Sequence, residues 1–524
     1  MPELFSKIPE RFLPATPPSV ASLINAHSTR HIILFLLLLS GWHFAHLHAF
    51  AHANDSRGSP AESASGFPYD GTLSMGWQAR TAAGTSGSMP FWLHSNQYGE
   101  LDKRSQNAVL NLHGEWRYRF NSGITLTSGT DLLVRGSGES EVRFQEAYLG
   151  VEYGHFVLTG GRKRERFGLV AHDMSIGSFI ASKNARPIPK ISFATNGHRA
   201  VPGTAGYLYY NASLAHGWMD DNEYRYVNDE LLPRFRFVDG VKLHQKHLYL
   251  RIFSDGAPVE LHGGLVHFAQ WGGYSPVFGQ APESFSNYLD VFFGRASDSK
   301  EVIGGGETPN AFQNHIGSYD FSIVSNIRGY QFGLIWQIIL EDTPNARFAG
   351  LRDGLWGGYL RRTGSDRPLI SGMSYEYVST RYHLTGNRDW EPAYVNYYNH
   401  YAYRGGWTYH GRAIGNPLYF SEDQYLGVSN NKLLGHHLTI IGHVGPVRFR
   451  THATYSRNYG AQRVDRPDGV RFNNFFDRKD QWSFLIDLKT KFAGHYTAGI
   501  KLAADSGDAY KNNIGLQLSL SALF

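Results

Sequence analysis

From Asn513 to Phe524 the chain alternates strictly, with Ile514, Leu516, Leu518, Leu520 and Ala522 on one phase and Gly515, Gln517, Ser519 and Ser521 on the other. A period of two sorts side chains onto the two faces of a β-strand and onto no single stripe of a helix. The alternation recurs along the chain. Leu73, Met75, Trp77 and Ala79 begin a first strand. Leu110, Leu112, Gly114, Trp116, Tyr118 and Phe120 then oppose Asn111, His113, Glu115, Arg117 and Arg119. Ile124, Leu126, Leu132 and Val134 return after the turn Asn121-Ser122-Gly123, with Asp131 and Arg135 on the opposite face. Later, Val447, Phe449, Ala453 and Tyr455 oppose Arg448, Arg450 and His452, and Trp482, Phe484, Ile486 and Leu488 oppose Ser483, Asp487 and Lys489. Tyr496, Ala498, Ile500 and Leu502 oppose Thr497, Gly499 and Lys501.

Four ionisable groups on one face of a single strand need water beside them. The apolar face needs another solvent. The pattern therefore predicts an all-β fold, a transmembrane antiparallel β-barrel with hydrocarbon outside and a wet lumen, whose last strand ends on the aromatic Phe524. About 25 residues per strand and connection divide residues 71–524 into about 18 strands, within a range of 16 to 20. Short turns at Gly445-Pro446 and Ala493-Gly494 alternate with longer loops, as periplasmic turns and outer loops do. A phase change between Phe144 and Ala147 predicts a bulge. Residues 282–295 break the alternation: Phe285, Tyr288, Leu289 and Phe292 recur at helical spacing, which predicts a short helix in a long loop, placed as a plug in the lumen.

Composition agrees. Aromatic residues are 14% of the chain and glycine contributes 58 of 524 residues, a mixture suited to twisted strands with aromatic girdles. Ile32–Leu39 is an unbroken apolar run preceded by Lys7, Arg11 and Arg30 and followed by Ala51-His52-Ala53. It reads as a secretory signal occupying residues 1–53 with a long leading region, and residues 54–70 as a flexible periplasmic lead-in to the barrel at 71–524. The histidines at 43, 46, 48 and 52 surround that cleavage site and belong to the removed segment. No cysteine occurs, which excludes disulfides, thiolate metal sites and a lipidated cysteine. The formal net charge of +5 suits acidic partners without pointing to nucleic acid. The G-x-S-x-G, phosphate-loop and H-E-x-x-H patterns are absent, and no cofactor, metal site or catalytic residue is expected. A barrel-wall hydrolase would need a Ser or Asp beside one of the 25 histidines.

Aromatic and polar residues interleave most densely between Trp390 and Pro417. Trp390, Tyr397, Tyr398, His400, Trp407, Tyr409 and Arg412 either stack on and hydrogen-bond a surface polysaccharide or form a girdle and packing layer. Arg457, Asn458, Tyr459 and Arg463 make a similar offer to an acidic glycan in an outer loop. A basic cluster of Arg162, Arg164, Arg166, Arg186, Arg448 and Arg450 belongs at a rim or in the lumen, attracting an acidic polymer or pairing with neighbouring carboxylates.

Six stretches carry a family resemblance: Ser182-Lys183-Asn184-Ala185-Arg186-Pro187-Ile188-Pro189-Lys190-Ile191; His216-Gly217-Trp218; Leu243-His244-Gln245-Lys246; Asn314-His315-Ile316-Gly317-Ser318-Tyr319-Asp320; Asp353-Gly354-Leu355-Trp356-Gly357; and Gly405-Gly406-Trp407-Thr408-Tyr409 through Gly411-Arg412-Ala413-Ile414-Gly415-Asn416-Pro417. In this order they resemble capsule-assembly outer-membrane proteins of the Wzi type, the Bacteroidetes-like branch in particular. The resemblance implies an eighteen-stranded barrel with helical material at its periplasmic end, acting as a lectin that organises capsular polysaccharide on the outer membrane. Its expected partners are that polysaccharide, outer-membrane lipid and lipopolysaccharide, and the barrel-assembly machinery during insertion, with the barrel a monomer. A porin-like channel for sugars or small solutes is the alternative.

Overall fold

The computed structural model describes residues 71–221, 238–275, 279–295, 313–341, 347–348, 350–364, 366–383, 395–421, 427–465 and 471–524. The proposed signal and lead-in, and Trp390, lie outside these residues.

Eighteen antiparallel strands close into one barrel. They are β1 (Gly71–Ser88), β2 (Arg104–Arg119), β3 (Thr125–Ser137), β4 (Glu139–Tyr153), β5 (Phe156–Arg162), β6 (Lys190–Thr195) and β7 (Leu208–Trp218). Then follow β8 (Lys242–Ile252), β9 (Val259–Trp271), β10 (Asn314–Ile327), β11 (Tyr330–Leu340), β12 (Gly354–Arg362) and β13 (Gly372–Ser379). The last are β14 (Leu433–Val444), β15 (Val447–Asp465), β16 (Arg471–Phe492), β17 (Tyr496–Gly507) and β18 (Asn513–Leu523). Arg199–Ala200 resumes the pairing of β6 with β7 past a short break. Each strand pairs with its sequence neighbours, and β1 against β18 closes the ring from Gly76↔Leu523 to Gly84↔Gly515. Closure leaves no unpaired sheet edge, as hydrocarbon requires.

The solvent-exposed face is the apolar one. On β18, Ile514 is 56% and Leu518 48% exposed while Gln517 is 2%. Leu248, Leu250, Phe321, Ile323, Phe484 and Ile486 continue this apolar belt around the wall. The bulge predicted in β4 is present: Asp131 pairs with Glu146 and Leu132 with Phe144, leaving Gln145 as the extra residue.

The two ends of the barrel differ. The end holding the start of β1 and the end of β18, here the terminal rim, is closed by short turns such as Gly445-Pro446 and Ala493–His495. The opposite, far rim carries the long connections. Three of these, through residues 89–103, 163–189 and the described parts of the third connection, 380–383, 395–421 and 427–432, fold back into the bore and pack on one another as a plug. Trp92, Leu93, Ile176, Phe179, Ile180, Tyr397, Tyr398, Trp407, Tyr409 and Tyr419 form its buried core. One helical turn, α1 (Phe91–His94), belongs to the plug.

The helix predicted in residues 282–295 exists as α2 (Phe285–Phe293), with Ser284 and Asn287 forming a reciprocal cap. Its place differs from the expectation, because it lies on the outer wall. His244 and Lys246 share the phase of the exposed Leu248 and Leu250, and His267 and Trp271 that of the exposed Leu265. Tyr288 and Phe292 pack over these outward groups, with ring centroids 5.5 Å from His244. Outward histidines would otherwise face lipid, where polar side chains are costly. Among the described residues no helix lies at the terminal rim, so the helical material the resemblance implied there is not seen.

Candidate functional site

The plug is tied together across its three segments by hydrogen bonds that use the family-like stretches. Trp407 Nε1 donates to the Ile180 carbonyl at 2.7 Å, and the Ser182 amide to that of Ile414 at 2.9 Å. Asn184 Nδ2 donates to the Ala413 carbonyl at 2.9 Å, Asn416 Nδ2 to that of Gly177 at 2.9 Å, and Arg412 to that of His94 at 2.8 Å. The Tyr398 hydroxyl donates to the Phe179 carbonyl. Gly415 sits where a Cβ would lie 1.8 Å from the Phe179 oxygen and 2.1 Å from the Tyr398 hydroxyl, so no larger residue fits without moving the segments apart.

The same segments hook onto the inner wall on several sides. Ile176 N donates to Glu376 of β13 at 2.7 Å, and Thr439 of β14 donates to the Met174 carbonyl at 2.8 Å. Trp92 Nε1 reaches Thr454 of β15 at 3.1 Å, and Phe91 N reaches Asp505 of β17 at 2.8 Å. Gln145 of β4 donates to the Tyr98 carbonyl at 2.7 Å, Gln337 of β11 to Ser178 at 3.0 Å, and Gln270 of β9 to the Gly406 carbonyl at 3.2 Å. A body anchored to β4, β9, β11, β13, β14, β15 and β17 spans the bore.

Within the plug, Asp353 at the head of β12 accepts from His383 N at 2.7 Å, Tyr382 N at 3.1 Å and the Tyr397 hydroxyl at 3.2 Å. Burial nevertheless pushes its carboxyl up to about 6, since these three bonds only partly offset desolvation. Burial pushes His383 down to about 3, helped by the charge of Lys432.

These placements correct the glycan-stacking expectation for several residues. Tyr397, Tyr398, Trp407 and Tyr409 have no exposed surface, and Arg412 is 8% exposed, so none offers a face to a sugar ring. They are packing residues, the alternative that their composition also allowed. Asn458 is 1% exposed in the interior, where it accepts from Asn430 Nδ2 at 2.9 Å, and Tyr459 is buried beneath Arg381. Arg457 points outward with Tyr455 and pairs with Asp480 at 3.0 Å. His400 is half-buried beside Tyr401. Arg463 falls in β15, and its side chain is outside the description.

The basic cluster divides in two. Arg164 bonds Glu100 at 2.6 Å and also Asp131 and Glu146; Arg186 bonds Glu141 at 2.8 Å; Arg162 pairs with Asp220; and Arg166 lies beside Tyr98. For Arg162, Arg164 and Arg186 pairing with carboxylates is the observed role. Arg448 and Arg450 face the bore near the terminal rim, where Arg450 pairs with Asp487 at 2.7 Å.

Sequence reasoning missed Arg352, Arg381 and Tyr382 at the far rim, of which Arg352 is exposed and the other two are half-buried. Arg352 lies 3.7 Å over the ring of Tyr382, and Arg381 5.1 Å over that of Tyr459. These residues stand outside any alternating stretch, and only folding brings residues 352 and 382 together.

Comparison with known proteins follows the same lines. A family model described as capsule assembly protein Wzi matches residues 72–431. No curated protein matches the chain. Among solved structures, Wzi of Escherichia coli, an outer-membrane protein involved in group 1 capsule assembly and described as a carbohydrate-binding β-barrel, superposes with a TM-score of 0.54. The two are 14% identical over 85% of this chain and 83% of that one. OccK5 of Pseudomonas aeruginosa aligns at 9% identity over 87% of this chain and 98% of that one, with a TM-score of 0.45. With a family match across most of its length and the corresponding closed barrel, the chain belongs to the Wzi family of capsule assembly proteins.

Proposed function

We propose that this barrel sits in the outer membrane with its far rim outward, binds surface polysaccharide there, and assists capsule attachment without enzymatic turnover. The orientation follows from loop asymmetry, since short turns lie on the periplasmic side and long loops outside. The observation that carries the reading is the plug: a bore crossed by packed, hydrogen-bonded chain supports a platform over an open sugar porin. On that platform Arg352, Tyr382, Arg381, His400, Tyr401 and Arg404 offer ring faces and charged donors of the kind that meet sugar C–H faces and acidic groups. The protomer works singly, surrounded by outer-membrane lipid and lipopolysaccharide, after a cleaved signal and the barrel-assembly machinery have delivered it.

The test is retention of purified detergent-solubilised barrel on immobilised capsule from its own cells. Replacing Arg352 and Tyr382 together with Ala is expected to weaken retention about tenfold while leaving folded yield unchanged. Large, steady conductance in planar bilayers with no retention on capsule would overturn the proposal in favour of a channel.

A further inference from the structure

Between the plug and the terminal rim, the inner wall of β15, β16 and β17 carries five cations: Arg448, Arg450, Lys489, Lys491 and Lys501. The register assembles them. Arg450 lies opposite Asp487, which lies opposite Lys501, and two residues nearer the rim Arg448 lies directly opposite Lys489. Like charges facing each other on neighbouring strands repel. Asp487 is the carboxylate they share, 2.7 Å from Arg450 and 4.0 Å from Lys489. Lys501 Nζ donates to Gln97 of the plug at 3.2 Å, and Arg450 Nε is buried without an acceptor. In the far half of the bore Arg164 meets three carboxylates, while Arg135, Arg143 and Arg186 share Glu141.

The basin is open on one side. Lys489 points into the bore yet its side chain is 45% exposed, and Arg448 and Lys491 are exposed as well. At its inner end the plug closes it with Gln97 and Lys183. Low-dielectric walls around such a basin concentrate the field of its cations. Strands are about 4.8 Å apart and alternate residues about 7 Å apart along each, so the array matches a string of negative charges better than a single ion. Hydroxyl partners stand beside it: Gln517 is opposite Lys501, with its Oε1 buried and without a donor, and Ser519 is opposite Gly499.

We propose that this wall is a second binding site, taking a carboxylate-bearing oligosaccharide that enters through the terminal rim. It stands independently of the far-rim reading. The probe is a fluorescently labelled tetragalacturonate, followed by anisotropy on the full chain in neutral detergent, with a malto-oligosaccharide of equal length and inorganic phosphate as competitors. The variant is Lys489→Gln with Lys491→Gln, two exposed positions away from the plug, and Arg457→Gln on the outer wall is the control; heat-modifiable migration reports the folded barrel in each. Expected are binding of the uronate probe that weakens with salt, about a tenfold loss in the double variant, no loss in the control, and no displacement by the neutral sugar. Absence of uronate binding, undiminished binding in the double variant, or equal displacement by the neutral sugar would each overturn the site. Displacement by phosphate at equal charge concentration would reduce it to a simple anion trap and overturn the saccharide assignment.

Discussion

Replacing Trp407 with Ala separates the plug from the wall that holds it. Trp407 is fully buried, its Nε1 donates to the Ile180 carbonyl at 2.7 Å, and its ring meets Phe268 of β9 edge-on at 6.0 Å. Removing a buried Trp side chain costs about 3–5 kcal/mol through lost burial and the cavity left behind. Leaving the Ile180 carbonyl without its donor adds to that cost on the order of 1 kcal/mol. A net loss of about 4 kcal/mol raises the fraction of opened plug by roughly a thousandfold. The wall is held by its own closed ladder and does not share this loss. Heat-modifiable migration on a gel reports the wall, while bilayer conductance and protease cleavage within residues 395–421 report the plug. The expected outcome is unchanged migration with new, flickering conductance and faster cleavage; Trp407→Phe, which keeps most of the volume and loses the donor, falls between. Conductance and cleavage equal to the parent's would refute the packing role given to Trp407. Loss of the barrel in step with the plug would refute their separability.

Three further outcomes can be checked in the same preparations. Arg164→Met leaves Glu100, Asp131 and Glu146 close together without their shared cation, so the denaturant midpoint should fall by the equivalent of about 3–5 kcal/mol, and an unchanged midpoint would refute the network. Acid should loosen the plug: buried His383, held down to about 3, and His172, held down to about 4 by burial and then Lys183, stay neutral when folded and take up protons when unfolded. Their stabilising contribution is thus lost as pH falls below 6.5, about 2 kcal/mol each by pH 5, while Asp353, pushed up to about 6, returns only about 1 kcal/mol over the same interval; protease protection of the plug that rises on going from pH 7.5 to 5 would contradict this balance. Because the chain has no cysteine, a single Phe293→Cys on α2 can carry a nitroxide, which should be relaxed by oxygen more than by an aqueous nickel chelate; the reverse ranking would take α2 off the lipid-side wall.

The wall was legible in the sequence and the plug was not, for a physical reason. A strand between two solvents must alternate at every residue pair, so β18 announces both its conformation and its two environments, and even the extra Gln145 in β4 shows as a slip of phase. The plug lies in one environment, protein on all sides, and its backbone follows no period. Residues 395–421 therefore read as a crowd of Tyr, Trp and Asn. Such residues suit a sugar platform and a packed interior equally, because in both an apolar face must be covered and a polar tip satisfied. What distinguishes the two is the partner: Trp407 Nε1 has the Ile180 carbonyl and Tyr398 the Phe179 carbonyl, each more than 200 residues away along the chain.

The outward histidines show how far alternation can mislead. His216, His244, His267 and His315 occupy lipid-phase positions on four consecutive strands, β7 to β10, and by the rule of alternation each argues against its own strand. Together they predict a cover, and α2 supplies it for two of them: Tyr288 lies over His216 and His244, and Phe292 over His244, while His267 and His315 bond each other at 2.7 Å. The helical spacing of residues 285–293 and the polar gap in the lipid face are thus two halves of one device, since a wall with imidazoles at that depth needs an apolar lid and an isolated nine-residue helix needs a surface to form upon. Placing α2 in the lumen left the four histidines without an account. Placing it outside accounts for the helical spacing and for His216 and His244, and turns its exposed aromatic residues, Phe285 and Phe293, towards the same hydrocarbon that covers Leu248, Leu265 and Phe321.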